Sequence, residues 1–116
     1  MSMTDAVLIE CWTRDRDPGA FRELVNRYAR MVFATSRRIL GNAADAEDVT
    51  QECFLKLCQL RQPAQNVAAW LHRVATHSAI DALGAQARRR TVERRREAAA
   101  AASDEGQVAR HQLGGR

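Results

Sequence analysis

Apolar residues recur every three or four positions over most of the first 83 residues, which is the period of an α-helix with one buried face. The sequence contains no sustained alternation of apolar and polar residues and no Asn-Gly or Asp-Gly hairpin signal, so it offers no candidate strand. The pattern predicts an all-α fold in which three to four helices form one compact domain.

The first two predicted helices have clear start signals. Thr4 can cap a short helix, and Asp17 before Pro18 is a capping residue with proline at the first helical position. Gly41 is placed to end the long second helix. The predicted apolar positions are Val7, Leu8, Cys11 and Trp12 in the first helix, and Phe21, Leu24, Val25, Tyr28, Val32, Thr35 and Ile39 in the second.

Two further helices are predicted on either side of a loop at residues 61–65. Asp45 with Asp48 resembles a capping box, so we expect the third helix to begin at Asp45, and Asn66 can cap the fourth. The predicted apolar positions are Val49, Cys53, Phe54, Leu57 and Leu60 in the third helix, and Val67, Trp70, Leu71, Val74, Ser78 and Leu83 in the fourth.

The apolar pattern fails towards the C-terminus. Residues 92–116 are polar and alanine-rich and offer no apolar face beyond alanine. We therefore expect a helical domain over residues 1–91, followed by a frayed helix and a basic, disordered tail or linker.

Composition fits a small soluble protein. The chain has 116 residues, of which 46% are hydrophobic and 28% charged, with no apolar run long enough for a membrane span and no signal-peptide pattern. Three cysteines are too few, and odd in number, for a disulfide framework, so a reducing, cytoplasmic location is expected.

The distribution of charge is more informative than the net charge of +4. Residues 67–96 contain seven arginines against two acids, whereas residues 42–54 contain four acids and no base. One segment therefore suits an anionic partner, and the other suits a basic surface.

Neither a metal site nor a catalytic site is predicted. Cys53 and Cys58, followed by His72 and His77, superficially fit a zinc pattern. Each pair is five residues apart on a helix, which separates the two side chains by roughly 140°. No nucleophile elbow or phosphate-binding glycine loop is present. We therefore expect no metal, no cofactor and no enzymatic activity.

Three segments resemble region two of bacterial sigma factors, in the extracytoplasmic-function group of the sigma-seventy family. They are Asp45–Leu57, Ala69–Ala75 and Ala79–Leu83, and the preceding segment, 20–28, is similar to the first core helix of that domain. The resemblance covers about residues 17–90. It implies a helical domain that binds core RNA polymerase and opens promoter DNA at the minus-ten element.

The resemblance implies a polymerase-binding patch on the third helix. The family's acidic motif, which docks on the clamp helices of the beta-prime subunit, corresponds here to Asp48, Gln51 and Glu52, with Phe54 and Leu55 nearby. From spacing alone, Asp48, Gln51 and Glu52 share one helix face, opposite the predicted core residues.

The resemblance also implies that the loop before the fourth helix and that helix's exposed face trap a flipped base of the non-template strand. The candidate DNA-binding residues are Arg61, Asn66, Trp70, His72, Arg73, His77, Arg88, Arg89 and Arg90. The chain departs from the family pattern in having a shorter loop, histidine at 77 in place of a frequent asparagine, and glycine at 84 in place of a frequently basic residue. Region four, which reads the minus-thirty-five element in complete sigma factors, is absent from this sequence.

Two other functions are compatible with these patterns. One is a stand-alone domain that occupies polymerase or an anti-sigma factor without initiating transcription. The other is a general nucleic-acid-binding helical module with incidental sigma-like motifs. The face formed by Asp48, Gln51 and Glu52 separates the sigma domain from the general module, because a general module has no use for an acidic face.

Overall fold

The computed structural model describes the backbone of residues 3–114 and the side chains of residues 3–103. It consists of four helices: α1 (Asp5–Asp15), α2 (Pro18–Leu40), α3 (Ala43–Cys58) and α4 (Val67–Gly114). The described residues contain no strand, which confirms the predicted all-α class. None of the helices in this part of the chain is long and apolar enough to cross a membrane.

Capping side chains begin α1, α2 and α4 where the sequence predicts. The Thr4 hydroxyl accepts a hydrogen bond from the Val7 backbone N–H, and the Asp17 carboxylate accepts one from Gly19 at 2.9 Å. Asn66 Oδ1 accepts one from the Ala69 N–H at 3.0 Å. Each bond satisfies a backbone donor that has no partner within the first helical turn.

The predicted start of α3 is wrong. The helix begins at Ala43, and Asn42 is its capping residue. The Asn42 side chain accepts a hydrogen bond from the Asp45 N–H at 2.8 Å, and its amide donates to the Asp45 carboxylate at 2.9 Å. Asp45 is therefore the residue three positions after the cap, which is the role that the sequence predicted for Asp48. The left-handed Gly41 (φ 79°) ends α2 directly before this cap, as predicted.

One hydrophobic core joins α1, α2, α3 and the first part of α4. Its fully buried members include Ile9, Leu24, Val32, Cys53, Leu57, Val67 and Leu71. Two predicted core positions are wrong: Val7 is exposed, with Ile9 buried in its place, and Leu83 is also exposed. Buried Ser78 was correctly placed.

Polar contacts fix α1 against two other helices. Asp5 accepts a hydrogen bond from Tyr28 and forms an ion pair with Arg27 at 2.9 Å, which joins α1 to α2. The bond to Asp5, and secondarily burial, raise the pKa of the Tyr28 hydroxyl. At the other end of α1, the Trp12 indole N–H (3.1 Å) and the Arg16 guanidinium (3.0 Å) both donate to the backbone carbonyl of Cys58, where α3 ends.

The chain divides into two compact units, one ending at Leu83 and the other beginning at Gly84. In the second unit the helical backbone continues beyond residue 92, where the sequence analysis placed a change from folded domain to tail. Every described side chain from 87 to 103 is exposed, so this part of α4 is helical although it has no buried face. Alanine, arginine and glutamate, which dominate it, are strong helix formers. The side chains of the remaining tail lie outside the described residues.

Candidate protein and nucleic-acid interfaces

The polar face of α3 is exposed, as predicted. Asp48, Gln51 and Glu52 (the acidic face) all lie at the surface. Val49, Cys53 and Leu57, on the other side of the helix, are buried in the core. The helix thus separates a surface available to a partner from the residues that hold it in place.

One member of the acidic face is partly neutralised by its own helix. Glu52 forms an exposed ion pair with Lys56 at 3.2 Å, four residues further along α3. The Lys56 ammonium also donates to the hydroxyl of buried Ser78 at 3.3 Å, which places it between α3 and α4. Asp48 forms no ion pair with another described residue, so it carries the less compensated charge of the two.

Phe54 is largely buried, unlike the other four residues predicted to bind polymerase. It is only 8% exposed, because its ring is turned into the core, whereas neighbouring Leu55 is 57% exposed. Phe54 and Leu55 both line an apolar groove of about 460 Å³ between α2 and α3. The groove is completed by Phe21, Val25, Ala29, Thr50, Gln51 and Cys58.

The contribution of α2 to this groove was not predicted from the sequence. Phe21, Val25 and Ala29 stand four residues apart and form one row along α2. The apolar positions of α2 form a stripe wider than one row of residues. The sequence pattern does not indicate which row of this stripe is buried in the core and which row lines a groove at the surface.

Three of the predicted DNA-binding residues are brought together at the start of α4. Asn66, Trp70 and Arg73 line a pocket of about 340 Å³ with Ala64, Gln65 and Ala69 (the loop pocket). Trp70 is half-buried, with part of its ring packed on the core, and Arg73 is exposed. An aromatic surface, an amide and a guanidinium thus meet beside the loop that precedes the helix.

The two predicted histidines lie on different faces of α4. His77 is exposed and stands seven residues after Trp70, which places it within ~20° of Trp70 around the helix axis. His72 is also exposed, but it lies about 160° from Trp70, and neither histidine lines the loop pocket. Arg61 is exposed in the loop and does not line the pocket either.

The second unit carries a dense cluster of positive charge. Six exposed arginines lie between residues 88 and 96 (the arginine segment), and none of them forms an ion pair with a described residue. Arg88, Arg89 and Arg90 therefore stand where a phosphate backbone can reach them, with Arg94, Arg95 and Arg96 one to two turns further on.

Cysteine and histidine side chains do not converge. Across the described side chains, no cluster of three or more His, Cys, Asp or Glu residues could hold a metal ion. Cys53 is fully buried and Cys58 is half-buried. Burial, followed by the nearby charge of Glu52, raises the pKa of the Cys53 thiol to about 11.

We expect Cys53 to resist alkylation in the folded protein. Its thiol is buried, and its raised pKa leaves little of the reactive thiolate at pH 8. Iodoacetamide with mass spectrometry should label the half-buried Cys11 and Cys58 first and Cys53 only after denaturation. Labelling of Cys53 at the same rate as Cys58 in the native protein would contradict this placement.

Comparisons with known proteins give one consistent answer. The Sigma-70 region 2 family model matches residues 24–89. The chain is 37% identical over 70 residues to the ECF RNA polymerase sigma factor SigE of Mycolicibacterium smegmatis, covering 59% of this chain and 27% of that protein. It is 32% identical over 68 residues to SigW of Bacillus subtilis, covering 56% and 36% of the two chains. It is 36% identical over 90 residues to the sigma-E factor of Escherichia coli K12, covering 75% and 46%.

The chain belongs to the Sigma-70 region 2 family, and its relatives identify it as a region of the extracytoplasmic-function type. This confirms the resemblance found in the sequence. The chain spans less than half the length of these curated relatives. No solved structure gave a significant match.

Proposed function

We propose that this chain is a non-catalytic sigma domain that binds core RNA polymerase in the cytoplasm and recognises and melts the promoter minus-ten element. The observation that carries the proposal is that an acidic surface and surfaces suited to a nucleic acid occupy different, exposed parts of the chain. The acidic face of α3 suits a basic protein partner, whereas the loop pocket and the arginine segment suit a nucleic acid. Membership of the Sigma-70 region 2 family supports both assignments.

On the polymerase side, the acidic face and the apolar groove form adjoining parts of one surface, because Gln51 and Leu55 border both. A helix with an apolar ridge and flanking basic residues is complementary to this combination of groove and charge. We assign the clamp helices of the beta-prime subunit to this surface. Asp48, Gln51, Glu52 and Leu55 make direct contacts in this proposal, and Phe54 forms part of the wall of the groove.

On the DNA side, the loop pocket receives an unstacked base of the non-template strand. Trp70 offers an aromatic surface, and Arg73 offers a charged donor at the pocket wall. The Asn66 oxygen is engaged by the Ala69 N–H, so the amide NH₂ is the group left to contact a base. His77, further along the same face, can both donate and accept a hydrogen bond when neutral.

A pull-down of core RNA polymerase by the purified chain tests the proposal directly. The polymerase should be retained without DNA, since the acidic face and the groove are both open in the isolated chain. A chain that retains promoter oligonucleotides but not polymerase would be a nucleic-acid-binding module and would refute the sigma assignment.

Binding to a single-stranded minus-ten oligonucleotide should depend steeply on salt. If Arg88, Arg89 and Arg90 neutralise about three phosphates, the logarithm of affinity should fall with the logarithm of salt concentration at a slope near −2, at roughly −0.7 per phosphate. Replacing all three by alanine should flatten the slope without changing base preference, because phosphate contacts carry no sequence information. Fluorescence anisotropy at several salt concentrations measures both quantities.

A matched control removes three exposed arginines from α2, namely Arg22, Arg30 and Arg37. This variant has the same net charge as the first but keeps the arginine segment, so its slope should stay close to that of the unmodified protein. Equal flattening by both variants, or tighter binding to duplex DNA of arbitrary sequence, would contradict the assigned DNA surface.

A further inference from the structure

Thr91 stands at the centre of the arginine segment and has no part in the function proposed above. It follows Arg88, Arg89 and Arg90 directly and is followed by the exposed Val92. Its side chain is exposed, and its hydroxyl donates to the Ala87 carbonyl at 3.0 Å within the helix. The oxygen retains free lone pairs and faces water.

The surroundings of Thr91 are suited to a negative group. On a helix, the residues three and four positions away are its nearest neighbours, and for Thr91 they include Arg88, Arg94 and Arg95. All three guanidinium groups lack an ion pair with any described residue. Glu93 is the only acid within the segment. An anion attached to the Thr91 oxygen would therefore meet several uncompensated positive charges.

The segment is also accessible to an enzyme that must bind it in extended form. Every described side chain from 87 to 103 is exposed, so no buried apolar contact holds these turns of α4 closed. Helical structure of this kind opens locally at a small fraction of the cost of global unfolding. Kinases use charge patterns around the acceptor hydroxyl to choose their substrates, and arginines immediately before it suit an acidic substrate groove.

We propose that Thr91 is a phosphorylation site for an ATP-dependent serine/threonine protein kinase that selects arginine two and three residues before the acceptor. In this reaction the Thr91 oxygen forms a bond to the γ-phosphorus of ATP as the bond to the β,γ-bridging oxygen breaks. ADP leaves, and the hydroxyl proton passes to a carboxylate of the kinase.

Phosphorylation would reduce the contact between this segment and DNA, a consequence that rests on the proposed function. A phosphothreonine carries a charge of about −1.5 to −2 at pH 7 and accepts strong hydrogen bonds from arginine. It would engage Arg88 and Arg95 within the helix, withdraw them from DNA and repel the phosphate backbone. The modification therefore acts as a switch on the DNA side and leaves the acidic face of α3 unchanged.

The first experiment uses the catalytic subunit of cyclic-AMP-dependent protein kinase as a probe with this arginine selectivity, together with Mg²⁺ and ATP. We expect about one phosphate per chain, mapped to Thr91 by mass spectrometry and lost in Thr91→Ala and in the double variant Arg88→Ala with Arg89→Ala. Thr50→Ala is the matched control, because Thr50 makes the same bond to a carbonyl four residues earlier but follows acidic residues. It should be phosphorylated normally. Phosphate on another residue, or no incorporation while a control peptide is modified, would overturn the site.

The second experiment compares the phosphorylated and unmodified chains by anisotropy with a single-stranded minus-ten oligonucleotide. Of the three arginines assigned to phosphate contacts, Arg88 is the one withdrawn, so the magnitude of the salt slope should fall by roughly 0.7. Affinity at low salt should fall by about tenfold or more, because the phosphothreonine also repels the DNA backbone. Unchanged affinity after complete phosphorylation would overturn the switch. If the unmodified chain fails to bind the oligonucleotide, the proposed DNA function is rejected, while the phosphorylation experiment decides the site independently.

Discussion

Reversing the charge of Asp48 and Glu52 together should abolish retention of core RNA polymerase. Both residues are exposed on the acidic face, so their replacement by lysine leaves the core of the domain intact. Placing like charges against a basic partner costs several kcal/mol, which corresponds to a loss in affinity on the order of 100-fold or more. Asp48→Lys alone should have the larger single effect, because Glu52 is already partly compensated by Lys56.

The matched control carries Glu10→Lys and Asp15→Lys. These two acids are exposed on α1, where Arg14 is their one ion-pair partner among the described residues, and their reversal changes the net charge by the same amount. Exposed pairs of this kind contribute little to stability, so both double variants should keep the helical circular dichroism of the parent. Polymerase retained by the folded Asp48 and Glu52 variant, or lost equally by the control, would exclude the acidic face as the docking surface.

Leu57→Ala should cost about 2–5 kcal/mol of unfolding free energy, the usual range for removing a fully buried leucine. Leu57 is 0% exposed and lies on the core side of α3. Because small domains are stable by only about 5–15 kcal/mol, this loss is a large fraction of the total. Urea denaturation followed by circular dichroism measures it as a lower midpoint with little change in slope.

Leu55→Ala provides the same chemical change two residues away on the opposite face. Leu55 is exposed at the edge of the apolar groove, so its loss should alter the unfolding free energy by no more than about 0.5 kcal/mol. The same variant should weaken polymerase binding. Equal destabilisation by the two substitutions would show that α3 has no separate core and partner faces.

The all-α fold class and most of the helix ends could be predicted from the sequence, because they depend on interactions between residues close together in the chain. Thr4, Asp17 and Asn66 each satisfy a backbone donor within their own helix, and Gly41 adopts the left-handed conformation that ends α2. The start of α3 was missed for an instructive reason. Asn42 and Asp45 form the actual cap, but Asp45 and Asp48 have the same spacing, so the sequence offers two overlapping candidates.

Tertiary packing determines which apolar residues are buried and where pockets form, and the local sequence pattern does not specify either. The apolar positions Phe54 and Leu55 are adjacent on α3, yet one is buried and the other exposed, because α2 covers only one side of the helix. The loop pocket likewise depends on how residues 64–66 turn towards Trp70, which no periodicity encodes. Helical spacing already separates His72 and His77 by roughly 140° around α4, but the location of the pocket was needed to show which one shares its face.

The Cys58 carbonyl, which accepts hydrogen bonds from both Trp12 and Arg16, determines where this domain can be truncated. A fragment cut at the start of the family match, residue 24, would begin inside α2 and lack all of α1 and the Asp17 cap. It would also leave the end of α3 without either side-chain donor. Because the chain that leads to the loop pocket leaves α3 at that point, such a fragment would lose both core packing and the contacts that fix the start of this loop. A fragment that begins at Thr4 keeps α1 with its capping residue and both donors to the Cys58 carbonyl.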